Sequence, residues 1–326
     1  MFWSGELIAR SAPVRRRGLL RVRDDAFLLP GQIPLSERAT AAYLGLAIGD
    51  ALGASVEFLT PNEIRHQFGQ HRDIVGGGWL RLKAGQVTDD TTMSLALGNA
   101  ILAVGQIEAA SIANAFDAWM RAKPVDIGNT VRRNLITYRR TGIPEALPSE
   151  HDAGNGAAMR VLPIALATYG QPENQVKIAS ATQAHITHHN ALSDAACEIL
   201  IAMVQDFLSG KDALTVERER VAPFINRFPV FTYDQRRREN PSGYIVDTLQ
   251  AVFQAFFATE NFEDCLIEVV NRGGDADTTG AITGMLAGAC YGPSSIPKRW
   301  LKVLNPECRN ACEQQAGALL AMTSPY

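Results

Sequence analysis

The chain has 326 residues, of which 46% are hydrophobic and 20% charged, and its formal net charge is −3 at pH 7. This composition is that of a globular protein with a sizeable core, and it excludes a general electrostatic attraction to nucleic acid or anionic membranes. No apolar run is long enough to span a bilayer, and five cysteines without paired spacing argue for a reducing cytoplasm.

Residues 1–35 differ from the rest of the chain. Residues 1–23 contain six arginines but a single acid, Glu6. The segment lacks the apolar stretch and the small-residue cleavage site of a secretory signal. We expect a flexible basic extension before one domain at 36–326, with a targeting peptide or a nucleic-acid arm as alternatives. One plausible hairpin covers residues 19–28.

From Ser36 onward the pattern is helical nearly throughout. Apolar residues recur at three- and four-residue spacing, as at Ile112, Phe116 and Trp119. No linker or internal repeat divides the chain, so the sequence predicts a single compact all-α domain with its loops gathered on one face. The predicted helices cover 36–54, 89–105, 108–122, 127–141, 157–168, 173–186, 191–208, 214–226, 243–258, 263–271, 279–290 and 307–322.

Three glycines form a stripe on the first predicted helix. Gly45, Gly49 and Gly53 recur every four residues, and Asp50 stands beside them. Glycine costs helix propensity, so the stripe predicts either a close helix crossing or a close approach to a ligand. An N-cap is expected in the segment Pro34–Glu37.

Two acidic clusters lie almost two hundred residues apart, Thr-Asp-Asp-Thr at 88–91 and Gly-Gly-Asp-Ala-Asp-Thr-Thr at 273–279. Each pairs carboxylates with hydroxyls where a loop enters a helix. Either cluster alone is also typical of a capped helix start with acids that complement the helix dipole. Together their oxygen-only donors suit a hard cation such as Mg²⁺ or Mn²⁺. If the fold joins the clusters, a two-metal hydrolase follows.

Several shorter motifs are weaker signals. Asp126 precedes a predicted helix and is either an N-cap or a general base beside the metals. The glycine turns at 76–79 and 154–156 can present backbone N–H groups to phosphate, yet neither matches a P-loop or a dinucleotide fingerprint. His188 is a candidate hydrogen-bonding residue, whereas His185 and His189 read as surface or core residues. Zinc-ligand and GxSxG nucleophile patterns are absent from the sequence.

Four segments resemble the ADP-ribosylglycohydrolase family. They are Gly-Leu-Ala-Ile-Gly-Asp-Ala-Leu-Gly at 45–53, Thr-Asp-Asp-Thr at 88–91, Gly-Asn-Gly-Ala-Ala-Met-Arg at 154–160 and Gly-Gly-Asp-Ala-Asp-Thr at 273–278. The resemblance covers roughly residues 38–323. One loop departs from the family pattern Thr-His-Asn-His-Pro and reads Thr-His-His-Asn-Ala at 187–191.

The resemblance implies an all-α fold that holds two Mn²⁺ or Mg²⁺ ions in a cleft and hydrolyses the bond between ADP-ribose and an arginine side chain. By position, the implied catalytic residues are Asp126, as acid/base, and Glu57, as a metal-adjacent or gating carboxylate. The implied metal ligands are Thr88, Asp89, Asp90, Asp275, Asp277 and Thr278. The implied substrate-binding residues are Asn129, Gly154, Asn155, Gly156, His188 and Tyr244.

Within the family, three segments resemble the subgroup that reactivates ADP-ribosylated nitrogenase iron protein: residues 76–83, 124–130 and 244–248. This implies that iron protein as the substrate, control by a nitrogen-regulatory PII protein, and reversible membrane association through that partner. Two alternatives stay open. The first is a hydrolase for another adduct, such as ADP-ribosyl-serine, or a toxin-immunity enzyme; the second is a non-catalytic ADP-ribose-binding member of the fold.

Overall fold

The computed structural model describes residues 33–323, so the hairpin expected at 19–28 lies outside the described part of the chain. Within those residues no β-strand forms; two isolated bridges join Gly77 to Leu82 and Gly154 to Tyr244. The all-α prediction is confirmed, with one continuous apolar core. Among the described helices, none is both long and apolar enough to cross a bilayer.

Fifteen α-helices account for most of residues 33–323. They are α1 (Leu35–Gly53), α2 (Pro61–Phe68), α3 (Asp89–Val104), α4 (Ala109–Arg121), α5 (Asn129–Thr141), α6 (Leu162–Ala167), α7 (Glu173–Ala184), α8 (Ala191–Leu208), α9 (Ala213–Val216), α10 (Ala222–Arg227), α11 (Ile245–Phe257), α12 (Phe262–Val270), α13 (Ala276–Tyr291), α14 (Lys298–Val303) and α15 (Pro306–Ala321). A π-helical turn, Glu217–Val221, joins α9 to α10.

Helices α2 and α14 are missing from the prediction, and the predicted starts of α6 and α13 are wrong. Helix α2 has a clear signal, since Thr60 and Glu63 form a capping box around Pro61. Residues 157–160 form turns, and α6 begins only at Leu162, with Pro163 in its first turn. Helix α13 starts at Ala276, three residues before the predicted start at 279. Helix α1 begins directly after Pro34, and no side chain caps it.

Helices α1 and α13 cross antiparallel at the centre of the fold, and both are buried along nearly their whole length. The glycine stripe lies at this crossing: a Cβ on Gly49 would stand 2.0 Å from the carbonyl oxygen of Gly280, and one on Gly45 2.1 Å from that of Gly284. The prediction of a close crossing is therefore confirmed. The crossing also places Asp50 of α1 near the first turn of α13.

Candidate metal centre and active site

The fold joins the two acidic clusters at the starts of α3 and α13. The Thr88 hydroxyl lies 3.3 Å from Asp90 Oδ2 and 3.4 Å from Asp277 Oδ2. From the other cluster, the Thr278 hydroxyl donates to the same Asp90 oxygen at 3.3 Å. All four side chains are buried. Carboxylates and hydroxyls distant in the sequence thus share one polar site.

Helix capping does not account for these residues. Thr88 and Asp275 occupy the N-cap positions of α3 and α13, yet neither side chain accepts a capping hydrogen bond. Asp126 is not the N-cap of α5 either, because that position is Gly128; its carboxylate accepts instead from the amide of Ile127 at 2.7 Å. None of these three side chains caps a helix, although Asp89, Asp90 and Asp277 do lie in the first turns of α3 and α13, where acids complement the helix dipole.

Asp50 is a site residue that the sequence analysis did not select. Its carboxylate accepts from the amide and hydroxyl of Thr88, each at 3.0 Å to Oδ1. It also accepts from Thr91, with the amide at 3.1 Å and the hydroxyl at 2.5 Å. Asp50 thereby holds the first turn of α3 in place. The available signal was an acid within the apolar, glycine-rich second half of α1.

A cleft of about 500 Å³ opens above this cluster. Eleven of the predicted site residues line it: Glu57, Asp89, Asp126, Asn129, Gly154, Asn155, Gly156, His188, Asp275, Asp277 and Thr278. Thr88 and Asp90 lie buried beneath its floor. Tyr244 is outside the lining and 41% exposed, although the adjacent Gly243 lines the cleft.

Glu57, Asp126 and Asp277 bring carboxylate oxygens within 4.8 Å of one another in the cleft. Glu57 is held by Trp79, whose indole Nε1 donates to it at 2.7 Å. Trp79 was read only as part of a glycine turn. Its ring centroid lies 5.4 Å from that of Phe58, so an exposed aromatic pair forms one wall of the cleft mouth.

Another part of the cleft lining is built from the glycine turn at 154–156 and from His188. Asn155 Nδ2 donates to Asp275 Oδ2 at 2.5 Å and to the Thr248 hydroxyl at 3.0 Å, which fixes the turn against the second acidic cluster. The His188 ring packs so closely that a Cβ on Gly154 would stand 2.9 Å from Nε2. An alanine at position 154 would therefore displace the His188 ring.

Burial of so many acids raises their pKa values. Burial, together with the charges of neighbouring carboxylates, raises the pKa of Glu57 to about 8 and that of Asp89 to about 7. The pKa of Asp50 rises to about 6 through burial, opposed by its hydrogen bonds from the two threonines. The pKa values of Asp90 and Asp277 are raised well above the ordinary range for the same reasons.

The residues present fit a bound divalent cation. Asp90 Oδ1 is buried without a hydrogen-bond partner. Among residues 33–323, none of the cleft carboxylates forms an ion pair with a lysine or arginine. The donors are all carboxylate and hydroxyl oxygens, the set that hard cations prefer.

Removing metal should make the fold sensitive to pH. The pKa values of Asp50, Glu57 and Asp89 are higher in the folded than in the unfolded chain, so their contribution to stability is full below about pH 4. It is lost as the pH rises through about 6 to 8. We expect chelator-treated protein to melt about 5 °C lower at pH 8 than at pH 5.5. Calorimetry checks this, and added Mn²⁺ should restore the loss at pH 8; equal melting temperatures without metal would contradict it.

A second cluster, Glu145, His185 and His189, lies outside the cleft, with ligand atoms within 4.8 Å of one another. Its two imidazole rings are stacked with centroids 3.7 Å apart, so their in-plane lone pairs run parallel instead of converging on one ion. His185 Nε2 is 3.1 Å from the Asp194 carboxylate, which raises the His185 pKa. In the loop at 187–191, which departs from the family pattern, Asn190 caps α8 by accepting a hydrogen bond from the amide of Leu192.

Known proteins share this architecture. The chain is 49% identical over 286 residues to the ADP-ribosyl-[dinitrogen reductase] glycohydrolase of Rhodospirillum rubrum, covering 88% of this chain and 96% of that one. It is 35% identical to the ADP-ribosylarginine hydrolase Tri1 of Pseudomonas putida (strain GB-1), covering 82% and 74%.

A solved structure described as an ADP-ribosylglycohydrolase-related protein complex superposes with a TM-score of 0.79 at 35% identity, covering 89% of this chain and 99% of that chain. The sequence profile of the ADP-ribosylglycohydrolase family matches residues 32–325. That match spans both acidic clusters and every wall of the cleft. The chain therefore belongs to the ADP-ribosylglycohydrolase family.

Proposed function

We propose that this protein hydrolyses the N-glycosidic bond between ADP-ribose and an arginine side chain, and that its protein substrate is ADP-ribosylated dinitrogenase reductase, the nitrogenase iron protein. The single observation that carries the proposal is the cleft in which the two acidic clusters meet beside a glycine-lined wall. The identity to the Rhodospirillum rubrum enzyme supports the protein substrate, and the Tri1 relatives support the arginine adduct.

The family is metal-dependent, and the cleft has groups that can hold a metal ion. We propose two Mn²⁺ or Mg²⁺ ions here. Their ligands would be Thr88, Asp89, Asp90, Asp275, Asp277 and Thr278. When bound, such ions polarise ribose oxygens and lower the pKa of water. Asp50 and Asn155 hold the ligands through the hydrogen bonds that they make to Thr88 and Asp275.

Asp126 is the proposed general base. Its carboxylate faces those of Glu57 and Asp277 in the cleft, where it can take a proton from the attacking water. The water oxygen then bonds to the anomeric carbon as the carbon–nitrogen bond breaks, with its electron pair going to the guanidine nitrogen. The proton that Asp126 took from the water passes to the departing guanidine, which returns Asp126 to its carboxylate form. Glu57 is the proposed metal-adjacent or gating carboxylate, held in position by the hydrogen bond from Trp79.

The remaining predicted residues are proposed to bind the nucleotide. Asn129 lies at the N-terminus of α5, where backbone amides and the helix dipole favour the diphosphate. Gly154, Gly156 and His188 form another part of the cleft lining. Because Tyr244 lies outside the cleft lining, we propose that it contacts only a part of the substrate that projects from the cleft mouth.

The remaining features of the proposal concern the cell. We propose a cytoplasmic enzyme that a nitrogen-regulatory PII protein controls, with reversible membrane association through that partner. We also propose that the basic residues 1–35 form a separate segment before the domain. Binding of purified PII protein to the full chain and to a chain lacking residues 1–35 tests both points together.

A panel of adducts tests the proposed reaction. We expect ADP-ribosyl-arginine to be hydrolysed at least about 100-fold faster than ADP-ribosyl-serine, because guanidine and hydroxyl leaving groups need different positions relative to Asp126. ADP-ribosylated dinitrogenase reductase should regain activity in the same assay. Equal or faster release from the serine adduct would overturn the assignment to arginine.

A further inference from the structure

Arg160 is fully buried and forms no ion pair with a carboxylate among residues 33–323, although the charge of Asp89 acts on it from a distance. Its Nε donates to Gln183 Oε1 at 2.8 Å, and Nη2 donates to the Gln183 carbonyl at 3.0 Å and to the Thr187 hydroxyl at 2.8 Å. The guanidinium also lies 4.4 Å from the Phe116 ring centroid. A buried charge is costly, so this arrangement calls for a role beyond filling space.

The hydrogen bond from Arg160 to Thr187 fixes the direction of the hydrogen bond between Thr187 and His188. A guanidinium can only donate, so the Thr187 oxygen accepts from Arg160 and its single proton is free for another acceptor. The Thr187 hydroxyl lies 2.8 Å from His188 Nδ1. Thr187 therefore donates to Nδ1. If Nδ1 carried the proton instead, the buried Thr187 hydroxyl would lose its acceptor, which is unfavourable.

The same reasoning assigns the proton of the other ring nitrogen of His188, Nε2. With Nδ1 accepting, the neutral ring carries its proton on Nε2, the nitrogen that packs against Gly154. Within the described chain, Nε2 has no hydrogen-bond partner, and His188 lines the cleft. Burial, together with the charges of Arg160 and Arg133, lowers the pKa of His188 to about 3, so the ring stays neutral at physiological pH.

We propose that Arg160 and Thr187 are positioning residues that hold His188 as the Nε2–H tautomer, so that a neutral donor meets an oxygen of the bound nucleotide. The identity of that nucleotide as ADP-ribose rests on the proposed function. The direction of the hydrogen bonds from Arg160 through Thr187 to His188, here called the relay, does not rest on it, because it follows from the donors and acceptors of the free protein. A neutral N–H group donates to an oxygen of the ligand without adding a charge to the cleft that changes with pH.

Nitrogen-15 NMR of histidine-labelled, ligand-free protein tests the relay directly. We expect the His188 signals, assigned with a His188→Gln variant, to show a bare Nδ1 and a protonated Nε2 that do not change between pH 5.5 and pH 8. Thr187→Val should abolish this single tautomer, whereas Thr187→Ser should keep it. A protonated Nδ1 or a titrating imidazolium in the wild-type protein would overturn the relay.

Calorimetric titration with ADP-ribose in the presence of Mn²⁺ tests the consequence. We expect Kd to rise about tenfold in Thr187→Val and to stay within about twofold in Thr187→Ser, since one hydrogen bond to a charged ligand is disturbed. An unchanged Kd in a folded Thr187→Val protein would overturn the positioning role. If the wild-type protein bound no ADP-ribose, the proposed function would fail, while the tautomer measured in the free protein would still decide the relay.

Discussion

Asp126→Asn should lower kcat for ADP-ribosyl-arginine by about 10³-fold, the loss typical of a missing general base. The amide has almost the same shape as the carboxylate but cannot take a proton from water. ADP-ribose binding should change by less than about threefold, because the diphosphate and its glycine-lined wall are untouched. Steady-state kinetics and calorimetric titration measure the two effects separately.

Asp234→Asn is the matched control for this variant. Asp234 is exposed, lies outside the cleft lining, and undergoes the same chemical change. It should keep wild-type kcat and Kd. An Asp126→Asn protein with near-normal kcat would remove Asp126 from the mechanism, and one that had lost ADP-ribose binding would show a role in binding instead.

Gly49→Ala should destabilise the fold by about 3 kcal/mol or more, as overpacking against unyielding backbone does. The new Cβ would stand 2.0 Å from the Gly280 carbonyl oxygen and 2.4 Å from its carbon, so α1 and α13 must separate. That movement displaces Asp50 from α3 and Asp277 from Asp90. Chemical denaturation should show the loss of stability, and titration with Mn²⁺ should show weakened metal binding in the protein that remains folded.

Gly317→Ala provides the control for this substitution. Gly317 lies within α15, is exposed, and has open space where a Cβ would be placed. The same change there should stabilise the protein by up to about 1 kcal/mol through helix propensity. If Gly49→Ala were as well tolerated as Gly317→Ala, the close crossing would not be what holds the two acidic clusters together.

The sequence was sufficient to predict the fold class and the two acidic clusters because both leave local signals. Helical periodicity marks most helices, and an acid pair beside threonines at a helix start is visible without a structure. Likewise, the stripe at Gly45, Gly49 and Gly53 predicted a close crossing, and the structure supplies its partner, α13. The short helices α2 and α14 carry too few turns for periodicity to show.

The residues that the sequence analysis missed act through contacts between distant segments. Asp50 reads as an isolated acid until α1 packs beside the start of α3. Trp79 meets Glu57 only because the glycine turn at 76–78 folds back on the chain, with Gly78 close to the Ala54 carbonyl. Arg160 acts on the cleft only through its hydrogen bond to Thr187, which lies in another loop. No spacing rule along the chain encodes these pairings.

Release of ADP-ribose from ADP-ribosyl-arginine, with and without Mn²⁺, tests the central claim most directly when wild-type protein is compared with Asp277→Ala and Asp234→Ala. We expect metal-dependent release by the wild type and by Asp234→Ala, and none above background by Asp277→Ala, because Asp277 joins the two clusters. Release that persists in Asp277→Ala, or that is unaffected when metal is removed from the wild type, would contradict a metal-dependent site built from both clusters.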